Sequence, residues 1–270
     1  MTEDIKIVSI IGVGYLGKQI AEKTALKEYT ICLYDTNLED LTNFSRNLRG
    51  RKKTPGEITS HESIQEAVKH ADLIIEAVPE SLELKREIFK IIDEFAKPDA
   101  IIATNSSSIP VSKLEDSVKR KDKVLNIHFY DVMTMPMADI MRGTKTSDDT
   151  FEKGKKWVEN IDITPLIVKK ECYGFVFNRV WRAIKKECLK IWAGGYADLE
   201  EVDKAWKIFT GMEIGPFQFM DQIGLDVIYD IELSYHKNSG LEDDKPPQAL
   251  KDLVDNGNLG RKTGKGFYTY

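Results

Sequence analysis

The chain has 270 residues, 41% apolar and 31% charged, with a net charge of −5. That length holds one large domain or two ordinary ones, with apolar residues enough for a sizeable core. The acidic balance argues against nucleic acid or an anionic membrane as partner, no long apolar span predicts a membrane helix, and no Cys/His cluster has metal-ligand spacing.

The first stretch with chemical content runs from Asp4 to Asp35. The apolar run Ile5, Val8, Ile10 and Ile11 predicts a buried parallel strand. Gly12-x-Gly14-x-x-Gly17 follows, then a helical pattern of Leu16, Ile20, Ala21, Thr24 and Ala25. A second apolar run, Ile31 to Tyr34, ends in Asp35. Each part suits a dinucleotide: Gly12 permits the tight turn, Gly14 lets the backbone approach a pyrophosphate, and Gly17 lets the helix pack on the strand. The helix start offers unpaired amides and a partial positive charge to the phosphates. Asp35 lies about 20 residues on, where an acid accepts from a ribose 2′-hydroxyl. A lone glycine motif also occurs in plain strand-to-helix turns, but here strand, helix, second strand and acid all fall in place. Asp35 would repel a 2′-phosphate, and Thr36-Asn37-Leu38 supply no arginine to receive one. The expected cofactor is NAD rather than NADP.

Onward, Leu38 to Leu48 predicts a helix, with a basic cluster at Arg49, Arg51, Lys52 and Lys53 and a turn at Thr54-Pro55-Gly56. Ser63-x-x-Glu66 reads as a capping box for a short helix to Lys69. Ala71 to Val78 is a third buried strand, Pro79 ends it, and Ser81 caps a helix carrying Leu84, Ile88, Phe89, Ile92 and Phe95. Ala100 to Thr104 is the next strand. Val124 to Ile127 follows and ends in His128-Phe129. Met137 to Met141 is another, with Asp139 inside it. Such alternation argues for an α/β doubly wound, mostly parallel sheet, with ligands beyond the carboxyl ends of its strands. Those exits carry Glu76 to Glu80, Thr104 to Ser108, and His128. A buried acid needs a partner, and Asp139 and His128 can satisfy each other across neighbouring strands. Asp149-x-x-Glu152 is expected to cap a helix to Asn160, and Pro165 to Lys169 is the last strand.

From Gly174 the pattern is helical. Phe177, Val180, Trp181, Ile184, Cys188 and Ile191 recur at helical spacing, Asp198-x-x-Glu201 and Gly215-Pro216 start two more helices, and Gly224 to Tyr235 continues the pattern. The expected domains are 1–169, a Rossmann dinucleotide-binding domain, and 170–270, an all-helical domain. Three scattered cysteines make no disulfide frame; Cys32 and Cys188 read as small core residues. With no signal-peptide pattern, the expected compartment is a reducing cytoplasm.

These residues together resemble the 3-hydroxyacyl-CoA dehydrogenase family over nearly the whole chain. The resemblance is carried by Gly12 to Gly17, Glu76 to Glu80, Asn105-Ser106-Ser107, His128-Phe129, Gly174 to Arg179, Asp221-x-x-Gly224-Leu225-Asp226, and the tail from Leu259 to Tyr268. Glu76 to Lys85 and Thr144 to Thr146 bring it nearest the free-acid and diketo reductases of that family. The resemblance implies an NAD-binding Rossmann domain, a helical domain that usually dimerises, and hydride transfer from C3 of a 3-hydroxy substrate. It assigns His128 as the base, Ser107 as a hydrogen-bonding partner of the reacting oxygen, and Asn178 as the residue polarising that oxygen. The family's glutamate partner of the histidine matches Asp139, one methylene shorter and one residue closer in sequence; Asp131 is a rival. Gly12, Gly14, Tyr15, Leu16, Gly17, Asp35, Glu80, Lys85, Asn105, Asp131 and Lys262 match cofactor-contacting positions.

Two departures stand out. Relatives acting on acyl-CoA commonly read His-Phe-Phe-Asn-Pro, where this chain has His128-Phe129-Tyr130-Asp131-Val132. They also carry a long helix-turn-helix after the second strand, and Leu38 to Ser60 is too short for one at about 1.5 Å per residue. Three readings follow: a 3-hydroxyacyl-CoA dehydrogenase with a trimmed CoA site, the same chemistry on a free 3-hydroxy acid such as a sugar acid or carnitine-like compound, and an NAD-binding structural or regulatory protein without catalysis. The small-molecule substrate is common to the first two. A homodimer is expected from the resemblance and from the aromatic residues Phe175, Trp181, Trp192, Trp206 and Phe217.

Overall fold

The computed structural model describes residues 5–50 and 55–270. Asp4, Arg51, Lys52, Lys53 and Thr54, and with them part of the basic cluster and the turn after it, lie outside the described residues. The chain divides into two units, Met1–Val176 and Phe177–Tyr270.

In the first unit, strands and helices alternate as β1 (Ile7–Ile11), α1 (Tyr15–Ala25), β2 (Thr30–Tyr34), α2 (Leu38–Arg49), β3 (Ile58–Ser60), α3 (Ile64–Val68), β4 (Leu73–Glu76), α4 (Leu82–Phe95) and β5 (Ile101–Thr104). Then come β6 (Val124–Phe129), β7 (Met137–Arg142), α5 (Asp148–Asn160) and β8 (Thr164–Val168). They form one sheet in the order β3-β2-β1-β4-β5-β6-β7-β8. Neighbours are parallel except β6 and β7, which are antiparallel. This is the doubly wound architecture expected, extended on one side by β7 and β8. The order reverses between β1 and β4, the switch point where such sheets take ligands.

The strands are apolar on both faces because helices cover both. Val8 and Ile10 of β1 and Leu73 and Ile75 of β4 pack with Ile20, Leu41 and Trp157 on one side. Ile11 and Ile74 pack with Ile64, Phe89 and Ile92 on the other. Period-two alternation sends successive residues to opposite faces. Each fully buried side chain of this size adds about 1.5–3 kcal/mol. Helix starts follow their capping signals: Ser63 accepts from Glu66 N at 3.3 Å and Ser81 from Leu84 N at 3.4 Å. The cap of α5 differs from expectation. Ser147 holds it, accepting from Thr150 N at 3.2 Å, which places Asp148 and Asp149 inside the first turn, where their charges meet the positive end of the helix. The short edge strand β3 had no legible pattern of its own.

The second unit is helical: α6 (Phe177–Ala193), α7 (Leu199–Thr210), α8 (Pro216–Ile223), α9 (Leu225–Ser239) and α10 (Gln248–Asp255). Cys188, Leu189, Phe217, Met220 and Ile228 form its core, with Trp181, Trp192 and Phe267 against it. Burial pushes the Cys188 thiol up to about 11. Asp221 of α8, fully buried, ties down the tail: it accepts from Phe267 N and Tyr268 N at 2.9 Å each and from the Tyr270 hydroxyl at 3.0 Å. A Cβ at Gly260 or Gly266 would collide with Asp221, which explains glycine at both tail positions. Among the described residues, no helix is long and apolar enough to cross a membrane.

Candidate active site

The glycine loop joins β1 to α1. Gly12 has φ +95°, a conformation that favours glycine, and a Cβ there would lie 2.6 Å from the Ala77 carbonyl oxygen. A Cβ on Gly17 would collide with the Gly12 carbonyl, so its absence lets α1 sit tight on the loop. Gly14 differs: nothing lies within 4 Å of where its Cβ would be. That open space above the first amides of α1, which has no acid in its first turn, is room for a phosphate. Asp35 is fixed by two backbone amides, accepting from Val13 N at 2.7 Å and from Asn37 N at 2.9 Å. Gly12, Gly14, Asp35, Ala77, Val78 and Pro79 line a cavity of about 510 Å³. Its position at the switch point, glycine cradle and acid fit a dinucleotide.

Beneath the exits of β4 and β5 lies a buried ionic knot. Lys85 is 1% exposed and donates to Glu76 Oε1 at 2.7 Å and to the Val78 carbonyl at 3.1 Å, with Glu80 Oε2 at 3.3 Å. Glu76, fully buried, also accepts from the Thr104 hydroxyl and from Val78 N, both at 2.8 Å. Burial pushes the Glu76 carboxyl up, against the pull of the Lys85 charge. Glu80 goes the other way: burial alone would raise it, but hydrogen bonds from Ser106 and Ser108 and the Lys85 charge hold it below the usual carboxylate range. Ser106 and Ser108 thus clasp Glu80, Ser108 at 2.6 Å, and Ser107 stands exposed between them. Asn105 accepts from Phe129 N at 2.9 Å and so links this loop to the end of β6. The loop is also held by Asn126, whose amide donates to the Thr104 and Ser106 carbonyls at 3.2 Å each.

His128 and Asp139 are directly opposite in the antiparallel pair of β6 and β7. Their side chains therefore share a face. His128 is 6% exposed and Asp139 fully buried, with Nδ1 3.6 Å from Oδ2. Phe175 stacks on the imidazole at 4.8 Å with its planes 10° apart, and holds a positive φ of 52° to do so. Val176 N donates to Asp139 Oδ1 at 3.4 Å. These contacts explain why the first unit runs to Val176, a few residues beyond the expected boundary at Lys169, and why Phe175 serves the histidine rather than the helical core. Asp131 lies elsewhere. It accepts from the Tyr15 hydroxyl at 2.7 Å and from Met133 N and Thr134 N at 3.1 Å. The Tyr15 hydrogen bond holds its carboxyl low and raises the Tyr15 phenol. Tyr15 is exposed, and Leu16 packs against the core.

In the second unit, Asn178 is in the first turn of α6. Lys262 pairs with Asp226 at 2.6 Å, and that hydrogen bond holds the Asp226 carboxyl low. Sequence reading gave no role to Glu76, Asn126 or Tyr130. The acid closing an apolar strand was the available signal for Glu76, and tyrosine at a family phenylalanine position the one for Tyr130.

Residues 7–172 match the model of the 3-hydroxyacyl-CoA dehydrogenase NAD binding domain, and 174–270 match that of the 3-hydroxyacyl-CoA dehydrogenase C-terminal domain. The chain is 34% identical to a 3-hydroxybutyryl-CoA dehydrogenase of Clostridioides difficile, covering 97% of this chain and 99% of that protein. A solved diketoreductase is 32% identical with a TM-score of 0.88 over all of both chains. An (S)-3-hydroxybutyryl-CoA dehydrogenase of Ralstonia eutropha is 29% identical with a TM-score of 0.86 over 99% of each. With both domain models matched in order along its length, the chain belongs to the 3-hydroxyacyl-CoA dehydrogenase family and is an NAD-dependent oxidoreductase acting on a CH–OH group.

Proposed function

We propose that the protein interconverts a 3-hydroxyacyl-CoA, such as 3-hydroxybutyryl-CoA, and its 3-oxo counterpart, with His128 as the general base. The buried, in-register pair of His128 and Asp139 in the unit that carries the dinucleotide cavity supports this reading above all. NAD, when bound, supplies the acceptor for the C3 hydride. His128 takes the proton of the 3-hydroxyl at Nε2 as that hydride leaves, so the C–H and O–H bonds are replaced by a C=O bond. An imidazole suits this step because its charge changes near neutral pH. Asp139, facing Nδ1, stabilises the imidazolium. Ser107 and Asn178 take the roles the resemblance assigns them, hydrogen-bonding and polarising the reacting oxygen. Gly12, Gly14, Gly17 and Asp35 hold the cofactor, and Glu80 with Lys85 holds the loop that lines its cavity.

His128→Ala tests the assignment. Turnover falls about 10²- to 10⁴-fold with NADH affinity unchanged; near-normal turnover would sink it.

A second reading, a free 3-hydroxy or diketo acid as substrate, is favoured by the likeness to diketoreductase and by the segment between β2 and β3, in which α2 is the one helix among the described residues. NADH oxidation by acetoacetyl-CoA against free acetoacetate and other keto acids separates the two.

A homodimer is part of the proposal. Ile208 and Phe209 of α7 are 77% and 90% exposed, and Tyr196 is 85% exposed. A second copy of the chain would cover such apolar surface. Sedimentation at equilibrium as a monomer would overturn it. The free cysteines Cys32, Cys172 and Cys188 suit the reducing cytoplasm we propose as its location.

A further inference from the structure

We infer that Tyr130 is a positioning residue for the His128–Asp139 pair, its hydroxyl loosening the carboxylate's hold on the imidazolium. The inference rests on His128 as the base. His128 and Tyr130 are two apart along β6 and its exit, so their side chains leave on the same face, and Asp139 joins them there from β7. The Tyr130 hydroxyl donates to Asp139 Oδ2, the oxygen that faces His128 Nδ1. At 3.6 Å the histidine contact is too long for a hydrogen bond, and among the described residues Nδ1 has no hydrogen-bond partner. The Tyr130 ring meets the imidazole edge-on at 4.7 Å. The aspartate, one methylene shorter than the family glutamate, is thus pinned at Oδ2 by Tyr130 and at Oδ1 by Val176 N, short of the histidine.

That arrangement has a chemical consequence. A hydroxyl hydrogen bond draws negative charge from Oδ2, so the carboxylate stabilises the imidazolium less than a bare one would. Among the described residues, the ring contacts of His128 are with the uncharged Tyr130 and Phe175. The β5 side contributes Asn105 through its bond to Phe129 N. The segment after β8 contributes the Phe175 ring and the Val176 amide, with the thiol of Cys172 at 3.7 Å from the Phe175 carbonyl. Among the described residues, Asp139 is the acid paired with His128. Against the phenylalanine and glutamate that the resemblance implies at these positions, tyrosine and aspartate go together as a unit: the hydroxyl reaches the shorter acid.

The test is a Tyr130–Asp139 mutant cycle read in two ways. In the NAD-free protein, the His128 ring is titrated by nitrogen-15 NMR, assigned with His128→Gln. Tyr130→Phe raises its midpoint by about 0.5–1 pH unit, and the acid limb of kcat/KM for alcohol oxidation moves the same way, with NADH affinity unchanged. Asp139→Glu alone overfills a fully buried position and lowers plateau kcat about tenfold or more. Tyr130→Phe/Asp139→Glu recovers kcat to within about threefold of the parent and keeps the raised midpoint. An unmoved midpoint in Tyr130→Phe, or a double variant no better than Asp139→Glu, overturns the inference. Should Tyr130→Phe not fold, a double variant whose midpoint equals the parent's overturns it too. The ring titration needs no turnover, so failure of His128 as base, read from His128→Ala, is distinguishable from failure of Tyr130 as its positioner.

Discussion

Replacing Lys85 with methionine keeps most of the side-chain stem and removes the charge. Lys85 and Glu76 are 1% and 0% exposed, so the substitution strands a carboxylate in the interior. Removing one partner of a buried pair costs about 3–5 kcal/mol. Glu76 retains the Thr104 hydroxyl and Val78 N, both at 2.8 Å, which places the loss near the lower end, about 3 kcal/mol. For a unit of this size that is a fall in melting temperature of about 6–12 °C. The pH dependence is the sharper test. Burial already holds the Glu76 carboxyl above its unfolded value, and loss of Lys85 raises it further. An acid raised in the folded state weakens the fold above its folded-state value, and the penalty fades as pH falls toward the unfolded value, because protonation removes the stranded charge. Urea unfolding should therefore find the deficit of Lys85→Met largest at about pH 7 and smaller near pH 5, with the slope unchanged. Lys85→Met/Glu76→Gln should recover most of it. A deficit below about 1 kcal/mol, or one equal at both pH values, would refute the buried-pair argument.

Gly17→Ala drives a methyl group into the Gly12 carbonyl and should cost about 1–3 kcal/mol while abolishing NADH binding measured by fluorescence. Retained affinity would show that the loop can yield. Asp35→Ser removes the charged acceptor at the cavity, and a hydrogen bond to such a group is worth about 1.5–3 kcal/mol. NAD affinity should fall about 10- to 100-fold with discrimination against NADP reduced; an unchanged NAD/NADP ratio would remove Asp35 from cofactor choice. Asp221→Asn weakens bonds to Phe267 N and Tyr268 N, and amide exchange at those residues should speed at least tenfold while the first unit's exchange stays as it was.

Much of this molecule was determined by short-range rules that a sequence carries openly. The turn off β1 demands glycine whatever surrounds it, serine caps announce α3 and α4, and continuous apolar runs declare strands covered on both faces. The NAD-binding loop, the strand exits and His128 were legible for that reason. Longer-range matters belonged to the tertiary structure. Whether Asp139 or Asp131 meets His128 depends on the β6–β7 register, which places Asp139 opposite and sends Asp131 to Tyr15. Lys85 matches a cofactor-contacting position in the sequence, yet α4 folds back over Glu76 and takes it out of water. Phe175 reads as a residue of the helical region, yet a left-handed backbone turn lays its ring flat on the imidazole. Capping and turn preferences act within a few residues and survive in the isolated string, whereas the partner of a buried charge is chosen by which strands and helices finally lie side by side.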